Sequence, residues 1–175
     1  MLWEEGRFQL TDPVHQFIPS WRGQEVWEHG EGNQMMTRRP ANPPTMQHIL
    51  SHTAGLTYGG LLPGLESPVD QAYQDLGIAR GDGETLLEFA DKLGRVPLLY
   101  DPGQKWCYSL ATDVCGALVE IISGQQFESF LRERIFDPLG MTDTGFRITD
   151  EMLDRFAACY MRSMDKQVLL EDDPQ

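Results

Sequence analysis

Apolar positions recur at helical spacing along most of the chain. Val114, Leu118, Ile121 and Ile122 fall on one face of a helix that Gly124 stops. Ser109 stands just ahead of that helix, and its hydroxyl can cap it by accepting from a backbone N–H two or three residues on. Thr45 caps a helix carrying Met46, Ile49 and Leu50, which ends near His52 before Ala54-Gly55 turns the chain. Ser67-Pro68 opens a helix closed by Gly77. Leu86, Leu87, Phe89, Ala90 and Leu93 predict a helix over 82–93, closed by Gly94. Phe127, Phe130, Leu131 and Ile135 mark another, ended by Pro138. Met1 to Glu5 reads as the last turn of a helix with Gly6 as its stop, an unusual beginning for a domain. Asp12-Pro13 opens a short helix with Asp12 as cap. Two stretches break the pattern: 31–44, dense in Gly, Asn and Pro, and 57–66, with Gly59, Gly60, Pro63 and Gly64, both read as loops.

Strand patterning is sparse. Residues 24–28 make a brief extended run, and 156–162 and 167–171 read as two strands joined by Ser163-Met164-Asp165-Lys166. Between helices lies Tyr100-Asp101-Pro102-Gly103-Gln104-Lys105-Trp106-Cys107-Tyr108. The Asp-Pro-Gly turn stops what precedes it, and the run to Tyr108 is too short for a regular strand. Tyr108 therefore sits where an extended segment meets a helix start, held by two elements yet free to face a cleft. No repeat, low-complexity tract or linker interrupts the chain.

Composition narrows the function. The 175 residues suffice for one ordinary domain, and 41% hydrophobic residues suit a globular protein. A net charge of −13 argues against a nucleic-acid partner, which calls for clustered Lys and Arg. No apolar run approaches the roughly 20 residues of a membrane span, and the first residues lack the basic region of a signal peptide. Cys107, Cys115 and Cys159 are odd in number and form no Cys-x-x-Cys, so free thiols and a cytoplasmic location are expected. His48 and His52 share a helical face at a spacing that can hold zinc, but no Glu follows His48 and no third ligand is evident. His15 and His29 are isolated and read as surface residues. No Gly-x-Ser-x-Gly elbow occurs, and Gly81-Asp82-Gly83 is a turn before a helix cap, not a phosphate loop. No cofactor is expected.

The Pro-Gly turn leading to Tyr108-Ser109, followed by Pro138-Leu139-Gly140-Met141-Thr142-Asp143-Thr144, resembles the serine β-lactamase-related family. That family includes class C β-lactamases, family VIII-type esterases and D-alanyl-D-alanine carboxypeptidases. Met1-Leu2-Trp3-Glu4-Glu5-Gly6-Arg7 with Asp12-Pro13-Val14, and Ile49-Leu50-Ser51-His52-Thr53-Ala54-Gly55-Leu56, are similar to it as well. The resemblance implies an α+β, β-lactamase/transpeptidase-like fold, here mostly the helical lobe with a C-terminal β-hairpin. It implies acyl transfer, in which the serine of a Ser-x-x-Lys motif attacks a carbonyl and lysine and tyrosine share the proton work. Residues three apart on a helix face the same way, so that lysine can reach the serine. A free phenol, with a pKa of about 10, is a poor base until an ammonium stabilises its phenolate. Tyr108 matches the family tyrosine, with Ser109 and Leu110 beside it in the substrate pocket. His52 to Leu56 matches a structural turn near the cleft.

The family's Ser-x-x-Lys helix is expected ahead of Met1, and its Lys-Thr-Gly or His-x-Gly segment is not found. Residues 1–175 are accordingly expected to be a partial domain, a fragment inactive by itself and exposing apolar surface. The Ser-x-x-Lys that does occur, Ser163 to Lys166, follows the tyrosine instead of preceding it. A hairpin tip leaves its serine a solvated alcohol. β-Lactamases of the family carry Asn where this chain has Leu110, and Leu110 cannot bond a substrate amide. That tips the expected substrate toward esters, with a β-lactamase or carboxypeptidase as the first alternative and a non-catalytic binding lobe as the second. The expected partner is a small-molecule ester or amide.

Overall fold

The computed structural model describes residues 1–60, 66–78, 83–163 and 165–172. Residues 61–65 of the loop expected over 57–66, the Gly81-Asp82 part of the expected turn, and Met164 lie outside the described residues. The chain divides into two units, Met1–Phe127 and Glu128–Gln175.

The first unit holds a ribbon, β1 (Val26–His29) and β2 (Met36–Arg38), and the helices α1 (Met46–Leu50), α2 (Asp70–Asp75), α3 (Leu86–Leu93) and α4 (Ala111–Ser123). Helix α4 is the spine. Ala111, Val114, Ala117, Leu118 and Ile122 are buried, against α1 through Met46 and Ile49 and against α3 through Phe89, Ala90 and Leu93. Removing a buried methylene costs about 0.8 kcal/mol here as in any core, so this seam carries much of the unit's stability. Ile121, expected on the buried face, is instead partly exposed. Gly124 ends α4 in the left-handed conformation, φ 75°, as expected. Trp21, fully buried, donates its indole N–H to the Ala90 carbonyl at 2.9 Å, and Gln24 reaches the Leu93 carbonyl at 3.0 Å. These bonds tie α3 to the segment that becomes β1. All three cysteines are free thiols, and burial pushes the Cys115 thiol up to about 11.

Several local expectations are corrected. Asp12 does not cap a helix. Its carboxylate accepts from the Gln9 N–H at 2.7 Å, and Pro13 stands at the cap of a single 3₁₀ turn, Val14–Gln16. The stretch 31–44 is not all loop, because Met36-Thr37-Arg38 pairs antiparallel with β1 between its glycines and prolines. Helix α3 begins after Thr85, whose side chain and Glu88 form a reciprocal capping box. Ser109 does not cap α4. Leu110 occupies the cap position, and the Ser109 hydroxyl faces His52. The first turn behaves as read: Gly6, φ 70°, closes it with Gly6 N–H to the Trp3 carbonyl and Arg7 N–H to the Leu2 carbonyl.

Helix α5 (Phe127–Leu131) starts at the last residue of the first unit and widens, within the second, into a π turn over Arg132–Phe136. Pro138 has no N–H to continue an α-helix, and the Asp137 N–H bonds the Arg132 carbonyl five residues back at 2.9 Å. After α6 (Asp150–Leu153), strands β3 (Cys159–Arg162) and β4 (Val168–Asp172) pair antiparallel, Tyr160 opposite Leu170 and Met161 opposite Leu169. Tyr160, Met161, Val168, Leu169 and Leu170 are all exposed, the apolar surface the sequence led us to expect. The fold is α+β, helices with, among the described residues, two small two-stranded antiparallel sheets.

Candidate active site

The approach to Tyr108 begins at a type II turn. Gln104 donates to the Asp101 carbonyl at 3.0 Å, and Gly103 takes φ 87°, the conformation such a turn demands at its third residue. The Asp101 carboxylate accepts from the Arg38 guanidinium and from the Ala41 N–H at 2.9 Å. These partners hold its carboxyl below the usual carboxylate range. The pair is largely solvated, so its role is to fix the turn more than to add stability.

Residues 99–110 then run beside 52–57, laced to them through the backbone. Leu99 N–H donates to the Gly55 carbonyl (2.7 Å), Gly103 to Thr53 (2.8 Å), Cys107 to His52 (2.9 Å) and Leu110 to Thr57 (3.2 Å). This lacing fixes Tyr108 without a regular strand. Lys105 leaves the site, its ammonium standing 4.5 Å from the centre of the Tyr100 ring.

Tyr108 and Tyr73 make an instructive pair. Tyr73 is 0% exposed, and its hydroxyl accepts the Thr57 N–H at 3.0 Å. Burial pushes its phenol up to about 12, and it is a packing residue. Tyr108 is 47% exposed, and among the described residues its hydroxyl has no hydrogen-bond partner. Rings surround its faces: Tyr58 stacks at 5.3 Å, His52 is tilted at 5.1 Å and Trp106 lies at 6.3 Å, centroid to centroid. The phenol is thus steadied by its ring while its oxygen stays open.

Ser109 and Leu110 flank it but are buried, 3% and 6% exposed. Ser109 Oγ lies 3.2 Å from His52 Nδ1, and Thr112 Oγ1 lies 3.4 Å from His52 Nε2. Both imidazole nitrogens of His52 are therefore engaged by hydroxyls. His48 Nδ1 accepts the Thr45 N–H at 3.2 Å. The family resemblance put His52 in a turn near the cleft, but nothing in the local sequence pointed to its ring as a neighbour of Tyr108. It takes φ 54° without being glycine, so the left-handed turn that aims its ring is invisible in Ser51-His52-Thr53.

Ser163 is placed elsewhere, in the β3–β4 turn. Its hydroxyl donates to the Asp165 carboxylate and accepts the Gln167 N–H at 3.1 Å. These are turn contacts, and they offer the hydroxyl no base strong enough to make it a nucleophile.

His48 yields a pH prediction. Burial lowers its pKa from 6.5, so the folded state resists a proton that the unfolded state accepts. Stability is then full above about pH 6.5 and declines as pH falls below that value. A glutamine at this position completes the same capping box without titrating. His48→Gln is expected to flatten the fall in Tm between about pH 7 and about pH 5. Parallel melting curves for the two proteins would show that His48 does not contribute.

The Beta-lactamase family model matches residues 1–174. Esterase EstB of Burkholderia gladioli is 34% identical over 172 residues, covering 95% of this chain and 39% of that protein. Among solved structures, unliganded simvastatin synthase (LovD) from Aspergillus terreus superposes with a TM-score of 0.75 at 31% identity, over 98% of this chain and 41% of that one. EstCE1, described as a hydrolase with promiscuous acyltransferase activity, gives 0.74 at 30% identity, over 98% and 41%. The chain spans about two fifths of the length of the curated relatives it matches, 40% for a Mycobacterium tuberculosis protein 32% identical to it. No described helix is long and apolar enough to cross a membrane.

Proposed function

Because this chain belongs to the beta-lactamase family, we propose that it is the tyrosine-bearing part of a serine hydrolase that works through an acyl-enzyme. Tyr108 is its acid–base group, and the substrate is a small ester. The observation that carries this is the contrast between the two tyrosines. A tyrosine kept for packing is buried with a bonded hydroxyl, as Tyr73 is, whereas Tyr108 has a steadied ring and an open oxygen. Such a phenol can take a proton from a nucleophile and return it to a leaving group. The ester reading is supported by the esterase among the relatives and by Leu110 standing where a β-lactamase would use an amide side chain. Residues 1–175 form part of a larger domain, as the relatives' greater length suggests.

In this reading the 175 residues alone hold the acid–base group without a placed nucleophile. The isolated chain is expected to give no turnover of p-nitrophenyl acetate and no labelling by a fluorophosphonate probe. Stoichiometric labelling of Ser163, with turnover lost in Ser163→Ala, would overturn that. The complementary test is a chimera in which these residues replace the matching stretch of EstB. It should regain both turnover and labelling. A chimera that folds yet neither labels nor hydrolyses would count against the hydrolase reading.

A further inference from the structure

A half-exposed tyrosine on an irregular segment ordinarily samples several rotamers. The environment of Tyr108 works against that, and one residue accounts for most of it. His52 grips the chain on both sides of the tyrosine. Its carbonyl accepts the N–H of Cys107, the residue before, at 2.9 Å. Its Nδ1 lies 3.2 Å from the hydroxyl of Ser109, the residue after. Its Nε2 lies 3.4 Å from Thr112 Oγ1, in the first turn of α4. The ring itself packs on the phenol at 5.1 Å with the planes inclined by 39°. We propose that His52 is the positioning residue of Tyr108: it clamps the backbone before and after the phenol, and its imidazole forms one wall against the ring. The proposal rests on the reading of Tyr108 as the acid–base group for its functional meaning, but its geometry stands without it.

Two features make the arrangement more than ordinary packing. First, His52 adopts φ 54°, a left-handed conformation that disfavours a side chain with a Cβ. Glycine would hold that backbone more easily, so the imidazole is present at a conformational cost. Second, both partners of the ring are hydroxyls, which donate or accept as needed. Either neutral tautomer is accommodated, because each nitrogen finds a hydroxyl.

The test separates positioning from folding. The full 175-residue chain is labelled with 3-fluorotyrosine, and the Tyr108 resonance is assigned from its loss in Tyr108→Phe. His52→Gly keeps the left-handed backbone and the carbonyl bond to Cys107 but removes the ring. The expected result is a Tm close to that of the parent. The Tyr108 fluorine resonance moves toward the free amino acid, while that of buried Tyr73 stays in place. His52→Asn tolerates the same backbone and returns an amide near the position of Nδ1, so it should restore part of the Tyr108 shift. A folded His52→Gly with an unmoved Tyr108 resonance overturns the proposal. If that variant does not fold, Ser109→Ala decides: it removes only the hydroxyl partner, and an unmoved Tyr108 resonance there overturns the proposal equally. Because the readout is the ring's surroundings and not turnover, a failure here leaves the acid–base role of Tyr108 standing, and a failure of that role leaves this result standing.

Discussion

Tyr108→Phe is expected to lower ester turnover by about 10²–10⁴-fold in the EstB chimera, with little change in Tm. The substitution keeps the ring that packs between Tyr58 and His52 and removes one oxygen. That oxygen bonds to none of the described residues, so its loss strands no buried donor or acceptor. Stability and catalysis are for that reason separable here. At Tyr73 they would not be, because the same change there leaves the buried Thr57 N–H without its acceptor. A general acid–base group is needed when the nucleophile attacks and again when the leaving group departs, so kcat and kcat/KM should fall together. The rate of fluorophosphonate labelling should fall too, since it reports the attack step alone. Near-normal turnover in Tyr108→Phe would reduce Tyr108 to a packing residue and withdraw the acid–base assignment.

The sequence made the segment that carries Tyr108 more legible than the support beneath it. That segment could be placed because a Pro-Gly turn and a following helix flank it, and both formed where the pattern put them. Ser109 was visible as a residue near the site but was assigned the wrong task. A serine ahead of an apolar helix reads as a cap, and nothing local says that a histidine fifty-seven positions earlier competes for its hydroxyl. His48 was invisible as a cap for a different reason. Capping boxes are read from Glu or Gln at the third helical position, and an imidazole there does the same work with different titration. The strand β2 escaped because three residues between glycines and prolines carry too little periodicity to register. For Ser109 and β2 the missing information is a contact with residues farther off along the chain, and for His48 it is a local contact made by an unusual side chain.

The site's frame has one position where a single methyl group should undo it. Gly55 takes φ 86°, and a Cβ there would sit 2.2 Å from the Tyr100 carbonyl oxygen and 3.1 Å from Leu98 Cβ. The obstacle is backbone, so no side-chain rotation relieves it. Either the turn abandons its left-handed conformation and with it the 2.7 Å bond from Leu99, or residues 98–100 move away. Moving them breaks both bonds that Leu98 makes beside β1, to Glu25 and from Trp27, and uncovers a fully buried leucine. Gly55→Ala is therefore expected to cost about 4 kcal/mol, a value near the upper end for single substitutions. Gly124→Ala supplies the control. Gly124 has a similar φ, 75°, but nothing lies within 4 Å of its missing Cβ. It should lose only the backbone preference, about 1–2 kcal/mol. Urea unfolding of the two variants measures the difference directly. A Gly55→Ala no costlier than Gly124→Ala would mean that the 52–57 segment does not press against the run leading to Tyr108. The frame described for the site would then have to be abandoned along with it.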